Sequence, residues 1–351
     1  MPAIDHVFIS GYTEDGYGAG PGLVRYAVLA DGMVGEPATH SEGVANPSFL
    51  ASAGNVLLAV EERADGGIVA LDPVTLTTLG RRPSGGADPC HVLHKDGDVW
   101  VANYSSGTAS VTALADLLAG GTEAPATVSH PGSGPVADRQ GESHAHQVTA
   151  TPWGTFLVAD LGSDRIDEYR PVQGTAPVLV DSADLPPGTG PRHVALRGDH
   201  LLVAGELDGF LHVLRRTEMD PARVEGHYWQ WQFKTPLAAT TEEIAAAEQF
   251  YASHIQLSAD GTKLYAAVRG PNTLVVLDVT GLDTDTAPVF MQSVDSGGNW
   301  PRHFALGSGK VYVANQLSNN VAVFSLDQEG LPGEQPVQTL DFGSAACLLL
   351  G

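Results

Sequence analysis

The sequence predicts an all-β fold, a seven-bladed β-propeller, from three observations. A unit of three alternating apolar runs recurs six times, its period matches one propeller blade, and the two chain ends carry complementary parts of a seventh unit. From the N-terminus, "HVFISGYT" and "GLVRYAVL" read as the second and third strands of a unit whose first strand is missing. Complete units follow: "NPSFLASAGNVLLAVEERADGGIVALD" from Asn46, "PCHVLHKDGDVWVANYSSGTASVTAL" from Pro89 and "AHQVTATPWGTFLVADLGSDRIDEYR" from Ala145. "PRHVALRGDHLLVAGELDGFLHVLRR" begins at Pro191, "ASHIQLSADGTKLYAAVRGPNTLVVLDV" at Ala252 and "PRHFALGSGKVYVANQLSNNVAVFSLD" at Pro301. The starts at 46, 89, 145, 191, 252 and 301 are 43, 56, 46, 61 and 49 residues apart, close to the ~40–50 residues of a four-stranded blade. The closing "AACLLLG" reads as a first strand with nothing after it. Paired with the N-terminal strands it completes a seventh blade, and ring closure hides the sheet edges. One propeller domain spanning 1–351 is expected, with "TTEEIAAAEQF" (240–250) as its only convincing helix, on a loop between blades, where Thr240 and Glu243 have capping-box spacing.

Composition narrows the function. Hydrophobic content of 43% supplies stacked sheets, while 41 Gly and 23 Pro suit many tight turns. A formal charge of −23 argues against nucleic acid and anionic membrane as partners, since both need a basic patch. Cys90 and Cys347 offer neither a disulfide framework nor metal spacing. "MPAIDHVFISG" lacks the basic start and apolar core of a signal peptide, and no apolar run is long enough to span a membrane, so a cytoplasmic protein is expected. The sequence does not set the oligomeric state, and a monomer is compatible with it.

In a propeller the first strand of each blade lines the central channel and the second runs back beside it. The start of the first and the end of the second therefore meet on one face. Around the ring, first-strand positions give Ser48, Cys90, His146, Arg192, Ser253 and Arg302, with Ala346 or Cys347 closing. Second-strand ends give Tyr12, Glu61, Tyr104, Leu161, Glu206, Arg269 and Gln316. The chain has 14 arginines, and Arg192, Arg269 and Arg302 all fall on this ring. Cations converging in an acidic protein predict an anion site, because a guanidinium donates two parallel hydrogen bonds to carboxylate or phosphate. His193, His254 and His303 each follow a ring position, so period-2 alternation turns them into the sheet packing as structural residues. His144 and His146 share a strand face, but zinc wants three protein ligands and no third joins them; neither metal nor cofactor is expected.

The stretches "HAHQVTATPWGTFLVADLGSDRI", "GPRHVAL…LLVAGELDG", "YASHIQLSADGTKLYAAVRGPNTLVVLDV" and "WPRHFAL…VYVANQLSNNVAVF" resemble the seven-bladed lactonase family, which holds propeller-type 6-phosphogluconolactonases and carboxymuconate cyclases. "NPSFL" and "PCHV…VANYSSG" extend the likeness over nearly the whole chain. The resemblance implies a catalytic set of His146, Arg192, Glu206 and Arg269, with Arg302 and Gln316 as further polar positions at the mouth. The sequence departs from the family's usual pattern in "VAGEL" and "AAVRG", both of which keep the charged member. The implied activity is hydrolysis of a small anionic lactone, 6-phosphogluconolactone to 6-phosphogluconate in the pentose phosphate pathway. His146 is then the general base for water, with Glu206 orienting or sharing that role. The arginines stabilise the oxyanion and hold the substrate, Arg302 or Arg269 gripping its anionic group. Glu61 and Tyr104 are expected to join Arg302 and Gln316 in substrate binding. Two rival readings remain open: a lactone-forming carboxymuconate-type cyclase or isomerase, and a non-catalytic binding propeller.

Overall fold

The alternating apolar runs pair into seven antiparallel sheets of four strands each in a computed structural model, which describes residues 4–14, 18–41, 43–129, 131–172, 175–218 and 227–351. Blade 1 joins the chain ends: Ala345–Leu350 is its innermost strand, followed outward by His6–Gly11, Leu23–Val28 and Val34–Ser41. The register pairs Val7 with Leu350, Phe8 with Leu349 and Ile9 with Leu348. Blades 2 to 7 have innermost strands Leu50–Ser52, Pro89–Lys95, Ala145–Ala150, Pro191–Arg197, Tyr251–Leu257 and Pro301–Gly307.

Blade 1 packs on both neighbours. Ile9 and Leu348 share a core with Tyr312, Ala314 and Val323 of blade 7, while Phe8 and Cys347 pack with Leu57, Ala59 and Val69 of blade 2. Burying each large aliphatic side chain contributes about 1.5–3 kcal/mol, so ring closure is held from two sides. The anticipated helix forms over Thr241–Ala246 between blades 5 and 6, and Glu243 N donates to Thr240 Oγ1 at 3.3 Å. Its Glu243 carboxylate accepts from Ala239 N at 3.2 Å rather than from Thr240, so half of the capping box forms. A second short helix, Leu114–Ala119, was not anticipated; it has no side-chain cap and buries only Leu117, which leaves little trace in the sequence.

One local device recurs where the channel opens. In six blades the innermost strand carries one extra residue against its partner, at Cys90, His146, Arg192–His193, Ser253–His254, Arg302 and Ala346. Such a bulge re-aims side chains and breaks strict alternation. Two residues before the ring position the backbone turns left-handed at Asn46, Asp88, Gly190, Trp300 and Ser344, with φ between 46° and 67°. Their carbonyls accept from the residue just after the second strand: Glu62, Tyr104, Glu206, Gln316 and Tyr12. The repeated "GPRH" and "WPRH" therefore encode a turn, a Pro that opens the strand, and a bulge that presents Arg192 or Arg302. Gly190 adopts this turn without a Cβ penalty, whereas Trp300 does so as a large aromatic.

Candidate active site

The bulges and turn-locked strand ends bring His146, Arg192, Glu206 and Arg269 together at the channel mouth. Glu206 is the hub. Its Oε2 lies 2.7 Å from Arg269 Nη2 and 2.9 Å from Arg192 Nε, the latter an ion pair without hydrogen-bond alignment. Its Oε1 accepts from Arg139 Nη2. Burial pulls the Glu206 pKa up, but Arg269, Arg192 and Arg139 outweigh that and hold the carboxyl far below the carboxylate range. A carboxylate so stabilised in its charged form has little proton affinity to offer as a base, and it serves to gather guanidiniums.

The buried arginines are fastened to backbone as well. Arg192 Nη1 donates to Ser253 O, and Arg269 donates to Tyr251 O at 3.4 Å and Ala252 O at 3.3 Å. Trp300 and Tyr251 lie 5.3 and 6.0 Å from the Arg269 guanidinium, so the left-handed turn at Trp300 also supplies a cation–π face. Across the mouth, Arg302 stands 5.2 Å over the Tyr12 ring and 3.5 Å from Glu62 Oε2, which also accepts from the Tyr12 hydroxyl at 2.9 Å.

His146 faces this cluster from blade 4. Burial and then the Arg192 charge push its pKa well below the ordinary histidine value, so its imidazole is neutral near neutral pH. Its Nδ1 lies 3.8 Å from Cys90 Sγ, and burial raises the Cys90 thiol far above its usual range, which rules that sulfur out as a resting thiolate. Tyr104 presents its ring edge to His146 at 5.6 Å and stacks on His144 at 4.4 Å. Among the described residues, no group of three or more His, Cys, Asp or Glu side chains is placed to hold a metal ion.

Three expectations need correction or completion. Glu61 does not face the mouth: it pairs with Arg81 at 3.4 Å and accepts from Ala45 N at 3.1 Å. The residue equivalent to Tyr104 and Glu206 is Glu62, whose N–H meets the left-handed Asn46, so Glu61 was placed one residue early. Nor do His193, His254 and His303 turn into the sheets. The bulge keeps them, with His91 and Phe49, on the axis beneath the arginines, where blades that are not neighbours touch. Phe49 lies 4.2 Å from His91, 6.0 Å from His193 and 5.5 Å from His303 between ring centroids. The Nδ1 atoms of His193 and His254 lie 2.7 Å apart, a hydrogen bond in which one ring donates to the other, and Leu348 N donates to His303 Nδ1 at 3.3 Å. Arg139 was missed because it lies on the loop before blade 4, outside the repeat. Gln316 N donates to Trp300 O at 3.0 Å, and its Oε1 is buried and unpartnered among the described residues.

A family model described as "Lactonase, 7-bladed beta-propeller" matches residues 6–350. The chain is 31% identical to a 6-phosphogluconolactonase of Bacillus subtilis over 301 residues, 81% of each chain. It is similar to a solved periplasmic gluconolactonase of Pseudomonas aeruginosa, with a TM-score of 0.84, 28% identity and 99% of each chain covered. A solved protein from Lactobacillus plantarum is similar at a TM-score of 0.83 and 26% identity, again over 99% of each chain.

Proposed function

Because the chain belongs to the lactonase family of seven-bladed β-propellers and is a lactonase, we propose that it hydrolyses a sugar-derived lactone, 6-phosphogluconolactone foremost, by general-base activation of water. The observation that carries this reading is a buried neutral imidazole, His146, beside a cluster of guanidiniums gathered on Glu206. His146 takes a proton from water as the oxygen attacks the lactone carbonyl carbon. Arg192 and Arg269 face the oxyanion that develops; one well-placed donor of this kind is worth about 3–4 kcal/mol. The ring C–O bond then breaks, the imidazolium returns its proton to the departing alkoxide, and the product leaves as a hydroxy acid. Glu206 remains charged throughout and keeps the arginines aimed.

A spectroscopic comparison of phosphorylated, unphosphorylated and muconate-derived lactones tests the substrate class. Replacement of the base tests the role of His146: His146→Ala should lower kcat by about 10²-fold or more with a small change in KM. Near-full lactonase activity in that variant, with its fold intact, would remove His146 from the mechanism.

A further inference from the structure

Arg139 differs from the other three arginines of the mouth in how little of it is already engaged. Arg192, Arg269 and Arg302 are 3%, 8% and 17% exposed, whereas the Arg139 side chain is 30% exposed. Only its Nη2 is used, toward Glu206 Oε1 and, at 3.5 Å, the Tyr104 hydroxyl; among the described residues its Nε and Nη1 make no hydrogen bond. A guanidinium has five N–H donors in a fixed fork, so most of this fork is left for a ligand.

The loop beneath it is firmly held. Fully buried Gln140 donates to Leu161 O at 2.9 Å and Asp164 Oδ1 at 2.7 Å, and its Oε1 accepts from Val136 N at 3.1 Å. Arg139 N and Gln140 N both donate to Val136 O, at 2.9 and 2.7 Å. Charge gives the second line of argument. Arg139, Arg192 and Arg269 converge on the single carboxylate of Glu206, which leaves two positive charges over in a largely buried cluster. Such a surplus is costly until an anion arrives. A phosphate monoester carries about −1.5 to −2 at pH 7 and accepts the parallel donors of a guanidinium.

We propose that Arg139 is the specificity-determining residue that grips the phosphate of a phosphorylated sugar lactone. This rests on the lactone reading above and adds to it the residue that separates phosphorylated from neutral substrates. Arg139→Gln should lower the kcat/KM preference for 6-phosphogluconolactone over unphosphorylated gluconolactone by about 10-fold or more, mainly through KM for the phosphorylated lactone. Arg139→Lys, which keeps the charge but not the fork, should fall between. Equal losses on both lactones, or none on either, would overturn the assignment. Calorimetry with 6-phosphogluconate and gluconate separates this from failure of the hydrolytic reading. Tighter binding of the phosphorylated acid that Arg139→Gln abolishes supports Arg139 even if neither lactone is turned over, and no such preference overturns it.

Discussion

The mouth of the channel and its floor meet at adjacent residues of innermost strands, Arg192 beside His193 and Arg302 beside His303, yet they handle charge in opposite ways. At the mouth, Arg192, Arg269 and Arg302 stay ionised among Glu206 and Glu62. Beneath them, His193, His254 and His303 join His91 in a layer whose titratable groups are held neutral. Burial first, then the Arg192 charge, lowers His91 and His303 to about 3, and burial dominates for His193 and His254 as well. Burial alone does not decide charge, since Arg192 and His193 are both only a few per cent exposed. What differs is first the group and then the partner. A guanidinium keeps its charge through the cost of burial and has a carboxylate beside it. An imidazole, with an ordinary value of about 6.5, loses its charge on burial and meets other imidazoles or an aromatic ring on the floor.

The largest expected effect comes from breaking the mouth's charge pairing. Glu206→Gln keeps the shape but strands three guanidiniums, and removing one partner of a buried ion pair typically costs about 3–5 kcal/mol. Urea unfolding should register that loss alongside a collapse of turnover. A fully stable Glu206→Gln protein would mean that the cluster does not depend on this carboxylate.

Acid probes the floor. An unfolded histidine has a pKa of about 6.5, whereas His91 and His303 lie at about 3 in the fold, so the unfolded chain binds more protons between those values. Their stabilisation is complete above pH 6.5 and is lost as pH falls toward 3, at up to about 1.4 kcal/mol per pH unit for each histidine. The urea midpoint should therefore drop steadily from pH 7 to pH 4, and less steeply in His303→Gln. An unchanged midpoint between pH 7 and pH 5 would show that the floor is not held neutral.

The smallest effect sharpens the boundary between mouth and scaffold. Glu61→Gln removes a pair with Arg81 and should leave kcat and KM within about twofold, at a cost of about 1 kcal/mol or less, because Arg81 is half-exposed. A Glu61→Gln protein with a tenfold higher KM would restore Glu61 to the substrate site.

How much of this was legible follows from where the repeat speaks. Blade number, closure of the ring by "AACLLLG" on "HVFISG", and the meeting of His146, Arg192, Glu206 and Arg269 could all be read, because alternation and turn residues recur in register. Outermost strands such as Val178–Asp184 are mostly exposed and carry weak alternation, so the sequence did not locate them. The bulge was invisible as well, since an inserted residue changes no composition, and it carried the alternation argument for His193, His254 and His303 astray. Glu61 and Glu62 are adjacent glutamates, and only the hydrogen bond from Glu62 N to Asn46 O tells which one closes the turn. Arg139 belongs to a loop with no counterpart in other blades, so no comparison between repeats reveals it.

The aromatic and imidazole layer on the axis also governs traffic. Phe49, His91, His193, His254 and His303 are linked by ring contacts into one continuous layer beneath the arginines. On the proposed mechanism, a lactone bound at His146 enters from the arginine side, the side by which the acid departs. Hydrolysis turns a neutral ester into a carboxylate, so the departing molecule carries one more negative charge past the same guanidiniums than its precursor did. On that mechanism spent acid and fresh lactone contend for a single threshold, and added product should slow turnover.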